Sequence, residues 1–304
     1  MEMVSFNGWQ ECIRFRNELV DVIVSTQFGP RILRYGFLDE ENEFAEIEED
    51  QGQAGRDGWR MYGGHRLWHA PEADPRTYYP DNEPLVWQDL GDGVRVTQPV
   101  ERTTGIQKEM DIRLSPVGTH VRVIHRLYNR GLWDVRLAPW ALSVMLSGGT
   151  AILPMPPRLP HTDPAGLLPV NSLALWPYTD LSDARLIWGR QYLLVRQDPL
   201  IKIAQKIGAF IPSGWCAYAR RGHLFIKRFA VAGEAVYPDL GCNVEVFINE
   251  RFLELETLGP LQTIPPQGFI EHVEDWYLFR DVPTPHNDAQ VERHVLTRIV
   301  ETVV

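Results

Sequence analysis

Cys242-Asn243-Val244-Glu245-Val246-Phe247-Ile248-Asn249-Glu250-Arg251-Phe252-Leu253-Glu254-Leu255-Glu256-Thr257-Leu258-Gly259-Pro260 alternates apolar and polar residues on both sides of a turn-forming Asn249-Glu250. Side chains of a strand point to opposite faces in turn, so this pattern predicts a β-hairpin with two unlike faces. Val244, Val246, Ile248, Leu253 and Leu255 form one face, and Asn243, Glu245, Phe247, Glu254 and Glu256 the other. A two-residue turn at Asn249-Glu250 sets Glu245 opposite Glu254, a like-charge pair that needs a cation, water or a proton to relieve it. Lys202, Lys206, Lys227 and Arg228, on neighbouring candidate strands, offer an ordinary ion-pair lattice as the alternative to a ligand.

The same period of two recurs outward from this hairpin: Glu18–Val24, Val94–Thr97, Met110–Leu114, His120–Leu127, Leu193–Arg196, His223–Phe229 and Trp276–Phe279. Turn formers such as Gly91-Asp92-Gly93 and Ser115-Pro116-Val117-Gly118 separate them. Many strands with no regular helix between neighbours predict a mainly β, antiparallel architecture and argue against a doubly wound or βα-barrel fold. Helical spacing is clear only near the end, where Val291, Val295, Ile299 and Val303 recur every four residues and Asn287 or Asp288 can cap the first turn. We therefore expect one large domain over 1–280 and a C-terminal loop and short amphipathic helix over 281–304, the helix covering the sheet or, alternatively, docking a second subunit in a homodimer. The Pro-rich stretches 153–169 and 283–285 read as loops.

The 304 residues carry 30 basic and 40 acidic side chains, a net charge of −10 and the wrong sign for phosphate-driven affinity, so nucleic acid is not an expected partner. Asp39, Glu40, Glu41, Glu43, Glu46, Glu48, Glu49 and Asp50 account for most of that charge and read as a solvated loop. No apolar run is long enough for a membrane span, and MEMVSFNGWQEC lacks the basic and apolar regions of a signal peptide. Three widely spaced cysteines, Cys12, Cys216 and Cys242, form no disulfide framework. The expectation is a cytoplasmic protein.

Chemistry concentrates in two places. Trp59-Arg60-Met61-Tyr62-Gly63-Gly64-His65-Arg66-Leu67-Trp68-His69-Ala70-Pro71-Glu72 sets aromatic surfaces beside guanidinium and imidazole groups, which suits a polyol whose apolar ring face stacks while its hydroxyls take charged hydrogen bonds. His65 and His69, with Glu72, have metal-ligand spacing on a helix, but the flanking glycines and proline disfavour one, so no metal is expected. In the hairpin, Glu254 and Glu256 lie two residues apart, roughly 6.6 to 6.8 Å along a strand. That separation permits acid/base work on a small substrate and also admits a glycoside-cleaving pair drawn from Glu245, Glu254 and Glu256.

These segments, in this order, resemble the galactose mutarotase-like superfamily of aldose 1-epimerases. The resemblance is carried by Phe28-Gly29-Pro30-Arg31-Ile32-Leu33, Gly63–Trp68, Leu255–Pro260 and Pro265-Pro266-Gln267-Gly268 leading into Trp276–Phe279. It implies an antiparallel β supersandwich that binds a monosaccharide or sugar end-group and needs no cofactor. In such enzymes a Glu removes the anomeric hydroxyl proton while a His protonates the ring oxygen, and Glu256 matches that Glu. The resemblance puts His65 and Arg66 on sugar hydroxyls. The central acid His falls in the strand that here reads Leu137-Ala138-Pro139-Trp140-Ala141-Leu142-Ser143, which has none.

The functional expectation is accordingly interconversion of sugar anomers with Glu256 as base, His65 or His69 as substitute acid, and Arg66, Trp68, Trp140, Asn243, Glu245, Glu254 and Lys206 binding the sugar. The alternatives are a non-catalytic carbohydrate-binding protein on the same fold, or the glycoside-cleaving enzyme. Trp176–Asp180 and Lys206–Phe210 are further candidates for the rim of the cleft.

Overall fold

A computed structural model describes residues 1–55 and 57–302. In chain order its first strands are β1 (Glu2–Phe6), β2 (Trp9–Arg16), β3 (Val20–Ser25), β4 (Arg31–Phe37), β5 (Gly64–Ala70), β6 (Val86–Asp89) and β7 (Gly93–Thr97). Next come β8 (Ile106–Leu114), β9 (Val121–Asn129), β10 (Val135–Leu146), β11 (Thr150–Pro154), β12 (Leu173–Leu175), β13 (Leu186–Trp188) and β14 (Tyr192–Arg196). The last are β15 (Gln205–Ala209), β16 (Trp215–Arg220), β17 (His223–Phe229), β18 (Val244–Ile248), β19 (Phe252–Leu258), β20 (Gln262–Ile264) and β21 (Phe269–Phe279).

They form two antiparallel sheets. One runs β1-β2-β3-β4-β5-β10-β19-β18-β15-β12, with β20 paired to β10, and the other runs β13-β14-β11-β16-β17-β21-β9-β8-β7-β6. Alternation explains why they stack. In β9, Val121, Val123, His125 and Leu127 turn inward and are fully buried, while Arg122, Ile124, Arg126 and Tyr128 turn outward. Leu253 and Leu255 of β19 and Val244, Val246 and Ile248 of β18 meet that inward face in one continuous core with Leu67, Phe225, Ile270 and Trp276. Truncating one such leucine to alanine costs about 2–5 kcal/mol, because the transfer energy is lost and the cavity only partly collapses.

The hairpin forms with the expected faces but a different register. Glu245 pairs with Glu256 and Phe247 with Glu254, so the two-residue turn is Glu250-Arg251 and not Asn249-Glu250. The Asn249 side chain fixes this, accepting hydrogen bonds from the backbone N–H groups of Arg251 and Phe252. An asparagine before a turn imitates a backbone turn and pulls it one residue along.

Near the C-terminus Asn287 caps the first turn by accepting from Gln290 N–H. The helix runs Asp288–Gln290, widens into a π turn at Val291–Val295 and closes over Leu296–Ile299. Val291, Val295 and Ile299 pack on Ile152, Leu194, Trp215, Ala217 and Ile226, on the outer face of the second sheet. The stripe is thus occupied within the chain; Val303 lies outside the described residues. No described helix is long and apolar enough to cross a membrane.

The acidic run is solvated only in part: Asp39, Glu40, Glu41, Glu46, Glu48 and Glu49 are exposed. Glu43 and Asp50 are buried. Glu43 holds His223 at 2.6 Å, Glu41 holds Arg220 at 2.9 Å, and Asp50 holds Arg60 at 2.8 Å. Basic partners invisible to a charge count tie this segment to β16, to β17 and to the chain before β5.

Candidate functional site

The chemistry gathers on the outer face of the first sheet, across β5, β10, β19, β18 and β15. Gly63 and Gly64 enter β5 with φ of 78° and 71°. A Cβ there would fall on the carbonyl oxygens of Ala45 and Ile32, so only glycine admits the turn that starts the strand. Period two then sends Arg66 and Trp68 to the outer face and His65, Leu67 and His69 to the core. Register lines up Trp68 with Trp140, Arg66 with Leu142, Leu142 with Glu256, Glu256 with Glu245, Glu254 with Phe247, and Phe247 with Lys206. Gly208 faces Glu245, and a Cβ there would press on Cys242 and on the Glu245 side chain; its absence leaves room for that carboxylate.

Above this row lies a cleft of about 270 Å³, walled by Trp59, Arg66, Trp68, Glu72, Tyr78, Trp140, Tyr178, Lys206, Phe247 and Glu254. Arg66 donates to Glu254 at 3.1 Å, and its guanidinium lies 3.9 Å from the Trp68 ring and 5.2 Å from the Trp59 ring. Lys206 Nζ sits 2.8 Å from Glu245 and 3.2 Å from Glu256, over the rings of Trp140 and Trp176. The Trp140 indole N–H donates to Glu256 at 2.7 Å. Arg66 Nε and Nη1, Trp59 Nε1 and Glu256 Oε1 are buried without a partner, an imbalance that a folded chain tolerates where a ligand or water completes it.

Burial weighs on two of the carboxylates, Glu254 and Glu245. Burial, partly offset by Arg66 and reinforced by Glu256, pushes the Glu254 carboxyl up to about 7. Burial also drives Glu245 well above the carboxylate range. Burial opposes the charge of Lys206, but Glu256 and Glu245 outweigh it and keep the ammonium protonated. Burial lowers Arg66 to about 10, still a cation at neutral pH.

The structure brings together Arg66, Trp68, Trp140, Lys206, Glu245, Glu254 and Glu256. Of the carboxylates in the hairpin, Glu254 lines the cleft. Glu245 and Glu256 have no exposed surface and lie beneath Lys206 and Trp140, so neither lines the cleft. Of the three glycoside-cleaving candidates, Glu254 lines the cleft, while Glu245 and Glu256 share Lys206 beneath it. Asn243 is not a contact either; its amide exchanges hydrogen bonds with the Ile211 backbone.

His65 and His69 do not join this group. The run containing them is a strand, in which both point away from Glu256 into the space between the sheets. His65 Nε2 meets His125 Nε2 at 2.7 Å, and His65 Nδ1 meets Ser143 Oγ at 2.9 Å. His125 Nδ1 donates to the His272 carbonyl, which leaves its Nε2 to accept from His65. Beside them Lys227 donates to Glu274 at 2.9 Å, Trp276 donates to its other oxygen, and Thr257 links Glu274 to His272. Lys227 is therefore spent inside the core and does not join the outer lattice. Burial lowers His65 well below its ordinary value, His125 to about 4 and His272 to about 3. His65, His125 and Glu274 converge as three potential metal ligands. Neutral imidazoles hydrogen-bonded throughout, beside an already compensated Lys227–Glu274 pair, fit a closed hydrogen-bond network better than a cation, which would add uncompensated charge to the core. His69 is held by Glu101, itself paired to Lys108.

Tyr78 and Glu72 of the cleft come from the loop after β5, and Trp176 and Tyr178 from the segment between β12 and β13. The pattern in Trp176–Asp180 pointed to the rim; nothing local in sequence pointed to Tyr78.

No family model matches the chain, and no curated protein does. Solved structures match across most of its length. A putative aldose 1-epimerase from Klebsiella pneumoniae is 13% identical with a TM-score of 0.59, over 98% of this chain and 86% of its own. The Slr1438 protein from Synechocystis is 11% identical with a TM-score of 0.59, over 92% of this chain and 100% of its own. A galactose mutarotase-like protein from Lactobacillus casei is 9% identical with a TM-score of 0.57, over 88% of this chain and 100% of its own. The chain has the galactose mutarotase-like fold.

Proposed function

We propose that the cleft binds a monosaccharide or sugar end-group and does so as a recognition site, without accelerating exchange between anomers. The carrying observation is Trp140 seated at 2.7 Å on Glu256, from the strand in which the resemblance places an acid histidine. An indole N–H donates a hydrogen bond but does not deliver a proton, and the same contact with Lys206 seals Glu256 from the cleft. The rest of the wall suits a sugar: Trp59, Trp68, Tyr78 and Tyr178 offer ring faces, while Arg66, Lys206 and Glu254 offer donors and an acceptor.

A second reading, a mutarotase with Glu254 as base, is favoured by that carboxyl lining the cleft and titrating near 7, where a general base works best. Proton NMR of an aldose panel separates the two. Recognition predicts broadened sugar lines with anomer exchange no faster than in buffer; the mutarotase reading predicts faster exchange that Glu254→Gln abolishes. Exchange that Glu256→Gln abolishes instead, with Glu254→Gln active, would refute both.

A further inference from the structure

Where β8 and β10 begin, a second cavity of about 400 Å³ opens that shares no lining residue with the cleft. Ile106 of β8 and Val135 and Leu137 of β10 give it apolar walls. Two guanidinium groups line it as well, Arg136 exposed and Arg76 half-buried, and no lining residue is acidic. Arg76 spends one N–H on the Pro71 carbonyl, and neither arginine has a carboxylate partner among the described residues. Two unpaired cations on an apolar cavity of this size suit a small organic anion.

The polar group at the inner end is His69, which lines the cavity and is 1% exposed. Its Nε2 lies 3.4 Å from Glu101. Lys108, Thr104 and Gln98 offer Glu101 three further donors at 2.6, 2.5 and 3.2 Å, which fills the capacity of that carboxylate. An ionised carboxylate only accepts, so the proton of His69 sits on Nε2. Burial outweighs the pull of Glu101 and keeps the imidazole below its ordinary value, hence neutral. Nδ1 is left as a bare lone pair, buried without a partner. Glu101 does not line the cavity whereas His69 does, so this nitrogen is the polar atom the ring has left to offer a ligand. Such an acceptor costs the fold unless something donates to it.

We propose that this cavity is a second ligand site, taking an organic carboxylate with a hydroxyl at its far end: the hydroxyl donates to His69 Nδ1 and the carboxylate pairs with Arg136 and Arg76. The register of β10 sets the length of the ligand. Pro139 pairs with His69, and Arg136 lies roughly 10 Å back along the strand, a span that an aromatic ring with one added carbon fills with a hydrogen bond at each end. The site is independent of the sugar reading.

The test is isothermal titration of the intact chain at pH 7 and low salt with 4-hydroxyphenylacetate, phenylacetate and 4-hydroxyphenylethylamine. We expect 4-hydroxyphenylacetate to bind about tenfold more tightly than phenylacetate, which leaves Nδ1 unpaired. It should also bind at least about tenfold more tightly than the amine, which carries the hydroxyl with the wrong charge. Arg136→Gln, at an exposed position, should weaken both carboxylates alike and keep the ratio between them. His69→Phe should erase that ratio and leave phenylacetate binding as before; if this variant does not fold, the ligand series and Arg136→Gln decide alone. Equal binding of the two carboxylates, an amine as tight as 4-hydroxyphenylacetate, or affinity unchanged in Arg136→Gln would overturn the inference. So would no binding of 4-hydroxyphenylacetate at about 10 mM. None of these outcomes bears on the cleft.

Discussion

Glu254→Gln makes a stability prediction that needs no ligand. Burial raises this carboxyl from 4.5 to about 7 in the folded chain. At about 1.4 kcal/mol for each tenfold change in proton affinity, ionising it in the fold costs roughly 3 kcal/mol more than in the unfolded chain. Because the folded value is the higher one, its contribution is fully present below about 4.5 and is lost as pH rises through about 7. The side chain is nearly enclosed, so solvent screens little of this. Glutamine keeps the shape and an oxygen for Arg66 but has no proton to lose. The variant should therefore gain on the wild type by roughly 3 kcal/mol between pH 5 and pH 9, or about 6 °C in melting temperature for a chain of this size. Thermal and urea denaturation of both proteins across that range give the difference directly, and groups titrating alike in both cancel. A difference that stays constant with pH would refute the assigned environment of Glu254.

The histidine network between the sheets should make the fold acid-sensitive. Its histidines stay neutral when folded and protonate near 6.5 when unfolded, so stability falls as pH drops below about 6.5; for His125 alone, with a folded value of about 4, the loss is roughly 3 kcal/mol. A urea midpoint that does not fall between pH 7 and pH 4, or falls equally in His125→Gln, would count against it. Trp140→His should cost about 3 kcal/mol for the space it leaves but set an imidazole against Glu256; the expected gain is measurable anomer exchange by NMR where the wild type has none. Arg66→Met should keep the stem packed on Trp68 while deleting the charge, weakening sugar affinity at least about tenfold with the circular dichroism spectrum unchanged; full affinity would remove Arg66 from the site.

How much could be read in advance follows from what is local. The faces of the hairpin, the capped C-terminal helix and the strands at His223–Phe229 and Phe252–Leu258 come from period-two and period-four patterns, and they appear as expected. The register of the hairpin does not, because a single Asn249 side chain decides where the turn falls. The place of the histidines was not legible for a related reason: they were candidates because the strand 137–143 has no acid histidine, and only the strand formed by Gly64–Ala70 puts both on the face opposite Arg66 and Trp68. Arg66, Trp68, Trp140, Lys206 and Glu254 were legible as an aromatic and charged set, yet which carboxylate meets the cleft depended on long-range packing of Lys206 and Trp140 over Glu256. The network of His125, His272, Glu274 and Lys227 joins β9, β17 and β21, and no segment of sequence carries it alone.

Saturation-transfer NMR from the aromatic protons of the protein to the C–H groups of a panel of neutral and amino hexoses tests the sugar cleft most directly. The account predicts transfer to the ring face of at least one hexose in the wild type and its loss in Arg66→Met. Transfer that persists undiminished in Arg66→Met, or the absence of transfer to every hexose, would contradict it.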